Sequence, residues 1–378
     1  MRSVRCASLI VAAAVTATAN AQTLQIVPEK VLYKDMEVAA VGPLVSRPGP
    51  ATGVLWSETV SHPTGVPAVR VHVQVRQGRP AADWRIRFRD LSGQEIESFA
   101  GGSPLLAARG GVWSGEIPGR GAEIELVTDT NAQGLEIAVD KYAYRVISAI
   151  PMSISGIDQR IPIRKAPADV QGWAGPIARL RFISGGEEFV CTGFLLTRDL
   201  LLTNEHCLGT EESALSALAE FGFDSLDSTP KTVRVSKLEA ADAPLDYALV
   251  RLAQAPPGFG RVTLGGGTPV TDGQALVIVQ HPAGEYKQAS IDDCKVRSAS
   301  MPGVTAAATD FGHLCDTLGG SSGSPVLDRQ TGRVVGLHHL GFFAGRPDPV
   351  NQGVHIGLVV DDIKRRLPAL HAEITANP

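Results

Sequence analysis

Between residues 52 and 146 apolar side chains recur at every second position, and turn residues break the pattern every few residues. "VRVHVQV" puts Val69, Val71, Val73 and Val75 on one side of an extended chain, and "WRIRF" does the same with Trp84, Ile86 and Phe88. "AEIELV" and "LEIAVDKYAYRV" follow, separated by "LSGQ", "RGG", "IPGRG" and "TDTNAQG". A period of two cannot bury one face of a helix, so this stretch reads as a compact antiparallel β-sandwich within an N-terminal β-domain of 22–150, whose first residues, 22 to about 48 and ending in "SRPGP", read as an arm or linker. From about 170 to 360 short apolar runs continue, among them "FVCTGFLLT", "YALVRLA", "ALVIVQHP" and "VVGLHHLGFF". With 40 glycines and 25 prolines in 378 residues, the chain has turns enough for an all-β protein of about two domains. The stretch "SISGIDQRIPIRKAPADVQGW" (153–173) serves as connector, and the second domain spans 151–378. Two helices are expected. One is at "EESALSALAEFG". The other is at the C-terminus, where Ile363, Leu367, Leu370 and Ile374 repeat at helical spacing, Asp361 or Asp362 caps the start, and Pro368 interrupts.

Composition narrows the function classes. The formal net charge is −4, which leaves no basic footprint for nucleic acid. Residues 1–21 read as an export signal: Arg2 and Arg5, a short apolar core, then Ala19-Asn20-Ala21 as the cleavage site. The expected localisation is secreted or periplasmic, with no membrane contact once the signal is gone. Cys6 leaves with the signal. Four cysteines remain, Cys191, Cys207, Cys294 and Cys315, with no C-x-x-C pair, so two disulfides in one of three pairings fit better than a metal site. No cofactor is expected.

Three local signals carry chemistry, and they follow one another in the order His, Asp, Ser. "TNEHCL" places His206 after an apolar strand. "LDYALVRL" places Asp246 at the head of another. "GGSSGSP" places Ser321, Ser322 and Ser324 among glycines. Each alone is more simply a structural feature. Together they supply a base, a carboxylate that holds the base in one tautomer, and a nucleophile on a glycine-shaped loop whose N–H groups converge on a developing oxyanion.

These motifs resemble those of trypsin-like (chymotrypsin-fold) serine endopeptidases, over roughly 165–365. "DTLGGSSGSP" with "GLHH" and "NQGV" is most similar to bacterial glutamyl endopeptidases and related exported peptidases. The resemblance implies two six-stranded β-barrels with the site between them. It implies Ser322 as nucleophile, His206 as base, Asp246 as orienting carboxylate, and the N–H groups of Gly320 and Ser322 as oxyanion donors. It implies a first-barrel disulfide Cys191–Cys207, which leaves Cys294 to Cys315. Ser321 stands where animal digestive enzymes have an activation aspartate. His339 stands where many relatives have a serine beside the buried aspartate, which removes that supporting hydrogen bond.

For the pocket, two implications compete. Asp316, six residues before Ser322, suits a Lys or Arg side chain. Thr317 and His338 match the positions that hold an acidic side chain in glutamyl endopeptidases. The wider motif favours acidic substrates, with Asp316 turned away. Two other function classes remain: an inactive peptidase-like binding protein, and an α/β-hydrolase-type esterase with "GGSSG" as its nucleophile elbow and Ser321 active. Expected partners are protein or peptide substrates; the 22–150 domain is either a pro-region or folding assistant that is removed, or a retained accessory module that binds a cell-wall or substrate surface.

Overall fold

The computed structural model describes residues 34–46, 53–63, 66, 68–77, 83–106, 111–128, 135–145, 152–154, 157–305, 307–341 and 350–376. The export signal expected at 1–21 lies outside the described residues.

The first unit is the antiparallel sandwich that the alternation predicts. Its strands are β1 (Lys34–Ser46), β2 (Gly53–Ser61), β3 (Ala68–Gln77), β4 (Trp84–Asp90), β5 (Glu95–Ala100), β6 (Gly121–Thr128) and β7 (Glu136–Arg145). One sheet runs β2-β6-β4-β5, and β1, β7 and β3 form the second layer in that order. Val69, Val71, Val73, Trp84, Ile86 and Phe88 meet between the layers, so the period-two face is the face that is buried.

The first barrel of the second unit comprises β8 (Ile177–Ser184), β9 (Glu187–Leu195), β10 (Leu200–Thr203), β11 (Leu218–Phe221), β12 (Lys231–Asp242) and β13 (Tyr247–Leu252). They pair in the order β8-β11-β12-β13-β10-β9, and β9 returns to β8, which closes a six-stranded ring. The second barrel comprises β14 (Leu276–Gln280), β15 (Gln288–Ser290), β16 (Val296–Met301), β17 (Asp310–His313), β18 (Pro325–Asp328), β19 (Val334–Leu340) and β20 (Asn351–His355). Its order is β14-β18-β19-β20-β17-β16, closed by a bridge between Ala275 and Lys295, with β15 lying outside on β14. Closure leaves each barrel without free edges. The disulfides are Cys191–Cys207 and Cys294–Cys315.

The two units share a sheet. The far edge of β9 is divided: Phe194 and Leu195 pair with β10, while Glu188 and Phe189 pair with β1. The polar side of β3 is therefore covered as well. Arg70 is 0 % exposed and donates to Glu188 Oε1 (2.9 Å), Ser216 O (2.6 Å) and Ser114 O (3.0 Å). Arg181 of β8, also fully buried, donates to Glu188 Oε2 (3.1 Å) and to Glu116. Burial works against the charge on Arg70 and lowers its pKa, with Glu188 opposing.

Two helix expectations change. The run from Glu211 is helical only to Ser216 (α1), capped by Thr210, because Leu218–Phe221 is taken up by β8 and β12 as β11. The C-terminal pattern forms α2 (Ile356–Arg366) and α3 (Pro368–Thr375), broken at Leu367 beside the proline. The N-cap is His355 and not Asp361 or Asp362. Asp362 lies inside α2, where it accepts from the Tyr247 hydroxyl (2.7 Å).

Candidate active site

The three motifs converge where the barrels meet. Asp246 has φ +45°, a left-handed conformation that costs energy outside glycine, and the turn it makes aims its carboxylate inward at the head of β13. Its Oδ1 accepts from the backbone N–H of His206 (2.9 Å) and its Oδ2 from Nδ1 of the same ring (2.7 Å). Its carbonyl accepts from Asn204 Nδ2 (2.8 Å). Two contacts from one carboxylate fix both the position and the tautomer of His206 and leave Nε2 to act. Asp246 is 3 % exposed. Burial opposes its charge, but the His206 and His339 contacts prevail and hold the carboxyl well below the usual carboxylate range.

The serine loop is shaped by two turns. Ser321 N donates to Leu318 O (2.9 Å), and Ser324 N and Oγ both donate to Ser321 O (3.0 and 2.6 Å). Gly320 and Gly323 have φ of +93° and +84°. A Cβ at Gly323 would lie 2.0 Å from Thr192 O and 2.3 Å from Thr203 Oγ1, so glycine is required there on both counts. Ser321 Oγ accepts from Leu318 N (3.1 Å) and braces the turn. Ser322 projects from between these turns. Its Oγ and the Nε2 of His206 are both buried without a hydrogen-bond partner among the described residues.

Thr192 is one residue that sequence reasoning missed. Its N–H donates to Ser322 O (2.8 Å) and its Oγ1 to Gly320 O (2.8 Å), while His281 N donates to that same Oγ1 (3.0 Å). One threonine on the first barrel thereby sets the height of the serine loop on the second. Its only sequence signal is adjacency to Cys191, whose bridge to Cys207 also restrains the residue after His206. Cys191, His206 and Cys207 cluster closely, but both sulfurs are spent in the disulfide, so the cluster is no metal site.

The pocket residues divide. Asp316 Oδ2 accepts from the backbone N–H of Gln159 in the connector (2.9 Å), and Asp316 O accepts from Gln280 Nε2 and Ser290 Oγ (2.8 and 2.5 Å). Thr317 and Leu318 pair with Ser153 and Met152, so the connector is stitched along the strand leading into the serine loop. His338 is fully buried, and its Nδ1 faces Gln352 O (3.2 Å) and His313 Nε2 (3.1 Å). A carbonyl only accepts, so Nδ1 carries the proton. Burial, with the nearby His338 and His339, drives the His313 pKa well below its usual value, which keeps that ring neutral. His339 faces Asp246 Oδ2 (3.1 Å) with Nδ1 and Asp310 Oδ2 (2.6 Å) with Nε2. The hydrogen bond expected to be lost with the serine is supplied by the histidine itself.

Residues 191–337 match the family model described as the trypsin-like peptidase domain. The chain carries a trypsin-like peptidase domain. The described residues are mostly β, in barrels and a sandwich, with few helices. Over 214 residues the chain is 34 % identical to "Secreted RxLR effector protein 73" of Plasmopara viticola, covering 51 % of this chain and 50 % of that one. Over 266 residues it is 24 % identical to a lysyl endopeptidase of Pseudomonas aeruginosa, covering 63 % and 58 %. The chain thus spans about half the length of these curated relatives. Among solved structures, a protease from M. tuberculosis in its active form aligns with TM-score 0.42 at 19 % identity, covering 62 % of this chain and 95 % of that one. A scabies mite inactivated protease paralogue aligns with TM-score 0.43 at 16 % identity, covering 52 % and 96 %. No helix among the described residues is long and apolar enough to cross a membrane.

Proposed function

We propose that the chain is an exported serine endopeptidase that cleaves peptide bonds with Ser322, His206 and Asp246. The observation that carries this is the double grip of Asp246 on His206, with His206 Nε2 and Ser322 Oγ both unpartnered at the barrel interface. Ser322 Oγ bonds to the scissile carbonyl carbon as its proton passes to His206 Nε2. The oxyanion rests on the N–H groups of Gly320 and Ser322; among the described residues neither donates elsewhere. The C–N bond then breaks and the leaving amine takes the proton from His206. Water repeats the sequence: its proton goes to His206, its oxygen to the acyl carbon, and Ser322 leaves reprotonated. Asp246 stays ionised throughout.

For the substrate we favour an acidic side chain. The buried Thr317 hydroxyl supplies one donor; His338, whose Nδ1–H faces Gln352 O, supplies the second from Nε2 when the ring takes up a proton with the acidic substrate, and Asp316 is engaged by the connector. The named lysyl endopeptidase relative and Asp316 itself favour the second choice, a Lys or Arg side chain. We take the sandwich to be a retained part of the enzyme, because its removal would strip Glu188 and Arg181 of partners inside the first barrel. Labelling with a phosphonofluoridate tests the chemistry: wild type takes up one adduct at Ser322, and Ser322→Ala takes up none. An unlabelled but folded wild type would sink the peptidase proposal, and labelling of Ser321 would favour the esterase. Cleavage of a peptide library after Lys or Arg alone would overturn the acidic preference.

A further inference from the structure

We propose that His339 is a positioning residue of this site: a buried imidazolium that donates one ring N–H to Asp246 and the other to Asp310, and so fixes the carboxylate that orients His206. The proposal rests on Ser322, His206 and Asp246 doing the chemistry.

The geometry argues for the cation. Both ring nitrogens of His339 face carboxylate oxygens, at 3.1 and 2.6 Å. Ionised carboxylates only accept, so a neutral ring would set a lone pair against one of them. His339 and Asp310 are each 0 % exposed, where water cannot relieve such a mismatch. Burial by itself would lower the His339 pKa, but the bonds to Asp246 and Asp310 outweigh it and raise it to about 9. Asp310 is held in turn. Thr309 Oγ1 donates to its Oδ1 (2.8 Å), and Gln352, with its amide nitrogen turned toward the acceptors, reaches its Oδ2 (3.0 Å). The other titratable groups facing this cluster are His206 beyond Asp246, His313 on β17, and His355, whose pKa burial lowers and the nearby Asp310 raises.

The charge count shows why Asp310 belongs with His339. Asp246, His339 and Asp310 sum to −1, the charge of a lone aspartate. When His206 takes the serine proton the cluster becomes neutral, as in the simple triad. A cation at 339 without Asp310 would instead make the total +1 and oppose that proton transfer. A serine at this place needs no such counter-charge. The pair His339–Asp310 is therefore a substitute for one hydroxyl, and it brings a second donor to Asp246 Oδ2 without changing the charge that His206 meets.

The test uses the full chain with ¹⁵N-labelled histidine. His339 is assigned by its loss in His339→Asn. The expected spectrum has both ring nitrogens protonated at neutral pH, with titration near pH 9. A neutral ring at pH 7 overturns the proposal. This measurement does not depend on turnover, so failure of wild type to label at Ser322 would refute the peptidase assignment and leave the spectrum to judge His339. With substrate, His339→Asn is expected to lower kcat about ten- to hundredfold with KM nearly unchanged, the worth of one hydrogen bond to a charged group. The alkaline limb of its kcat/KM profile should vanish. A rise in KM with kcat kept, or an unmoved limb, contradicts positioning. If His339→Asn does not fold, Asp310→Asn keeps the imidazole, and its alkaline limb should move to lower pH. An unmoved limb there also overturns the proposal.

Discussion

Glu188 is the hinge of the contact between sandwich and barrel, and its removal is the sharpest test of how the two units are joined. It lies fully buried on β9 and accepts from Arg70 on the sandwich and Arg181 on the barrel. In Glu188→Leu, Arg181 still has Glu116 and Glu220 beside it, the latter at 3.7 Å. Among the described residues Arg70 keeps only the carbonyls of Ser114 and Ser216, with Arg181 and Arg234 as like-charged neighbours. Breaking a buried pair by removing one partner costs about 3–5 kcal/mol. Against a total stability of ~5–15 kcal/mol this is a large fraction. With a urea dependence of about 3 kcal/mol/M, the midpoint should fall by more than about 1 M. The double variant Arg70→Met/Glu188→Leu removes both charges and should recover most of the loss. The assay is urea unfolding followed by tryptophan fluorescence, which reports Trp56, Trp84 and Trp113 in the sandwich and Trp173 in the second unit. A single shared transition is expected, since β1 belongs to both units. A shift under about 1 kcal/mol in Glu188→Leu, or a double variant worse than the single, would refute the account of the interface.

Other outcomes follow from the site. Gly323→Ala forces a left-handed alanine and a Cβ into Thr192 O, so it should cost over ~2 kcal/mol and lower kcat more than KM; near-wild-type turnover contradicts the loop geometry. Replacing Cys294 and Cys315 by serine opens a loop closed across 21 residues and should destabilise by about 3 kcal/mol in the loop-entropy picture; an unchanged urea midpoint contradicts this. Stability should also depend on pH from both sides. His339, raised to about 9, contributes fully below its ordinary value of 6.5, and the contribution is lost as pH rises through 9. Asp246, held low, contributes above its ordinary 3.8, and that is lost as pH falls. Urea midpoints flat from pH 7 to 10 would contradict the first statement.

The residues proposed to react were legible because their signals are local. A strand followed by "NEHC", an aspartate before "YALVRL", and glycines around Ser322 each report a short piece of backbone. The strand alternation likewise told which valines face inward in the sandwich. What it could not tell was that the opposite face is covered too, because Arg70 looks like a solvent residue until Glu188 of β9 and the Ser216 carbonyl meet it. The helix expected through Phe221 ended at Ser216 for the same reason: pairing with β8 and β12 outweighed helical propensity. Thr192 and Asp310 act through partners more than a hundred and about thirty residues away, and no local pattern records such distances.

β1 has a consequence for how the chain comes off the ribosome. Residues 34–46 find their first partner in β7, complete by Arg145, whereas their second, at Glu188 and Phe189, is made later. In the interval the sandwich presents one row of unsatisfied backbone donors and acceptors. That row is a template on which the first strand turn of the barrel can nucleate, which shortens the search for a topology rich in distant pairings. The same row will accept a strand from a neighbouring chain if synthesis pauses there. The join between the two units is thus also the most exposed stage of assembly.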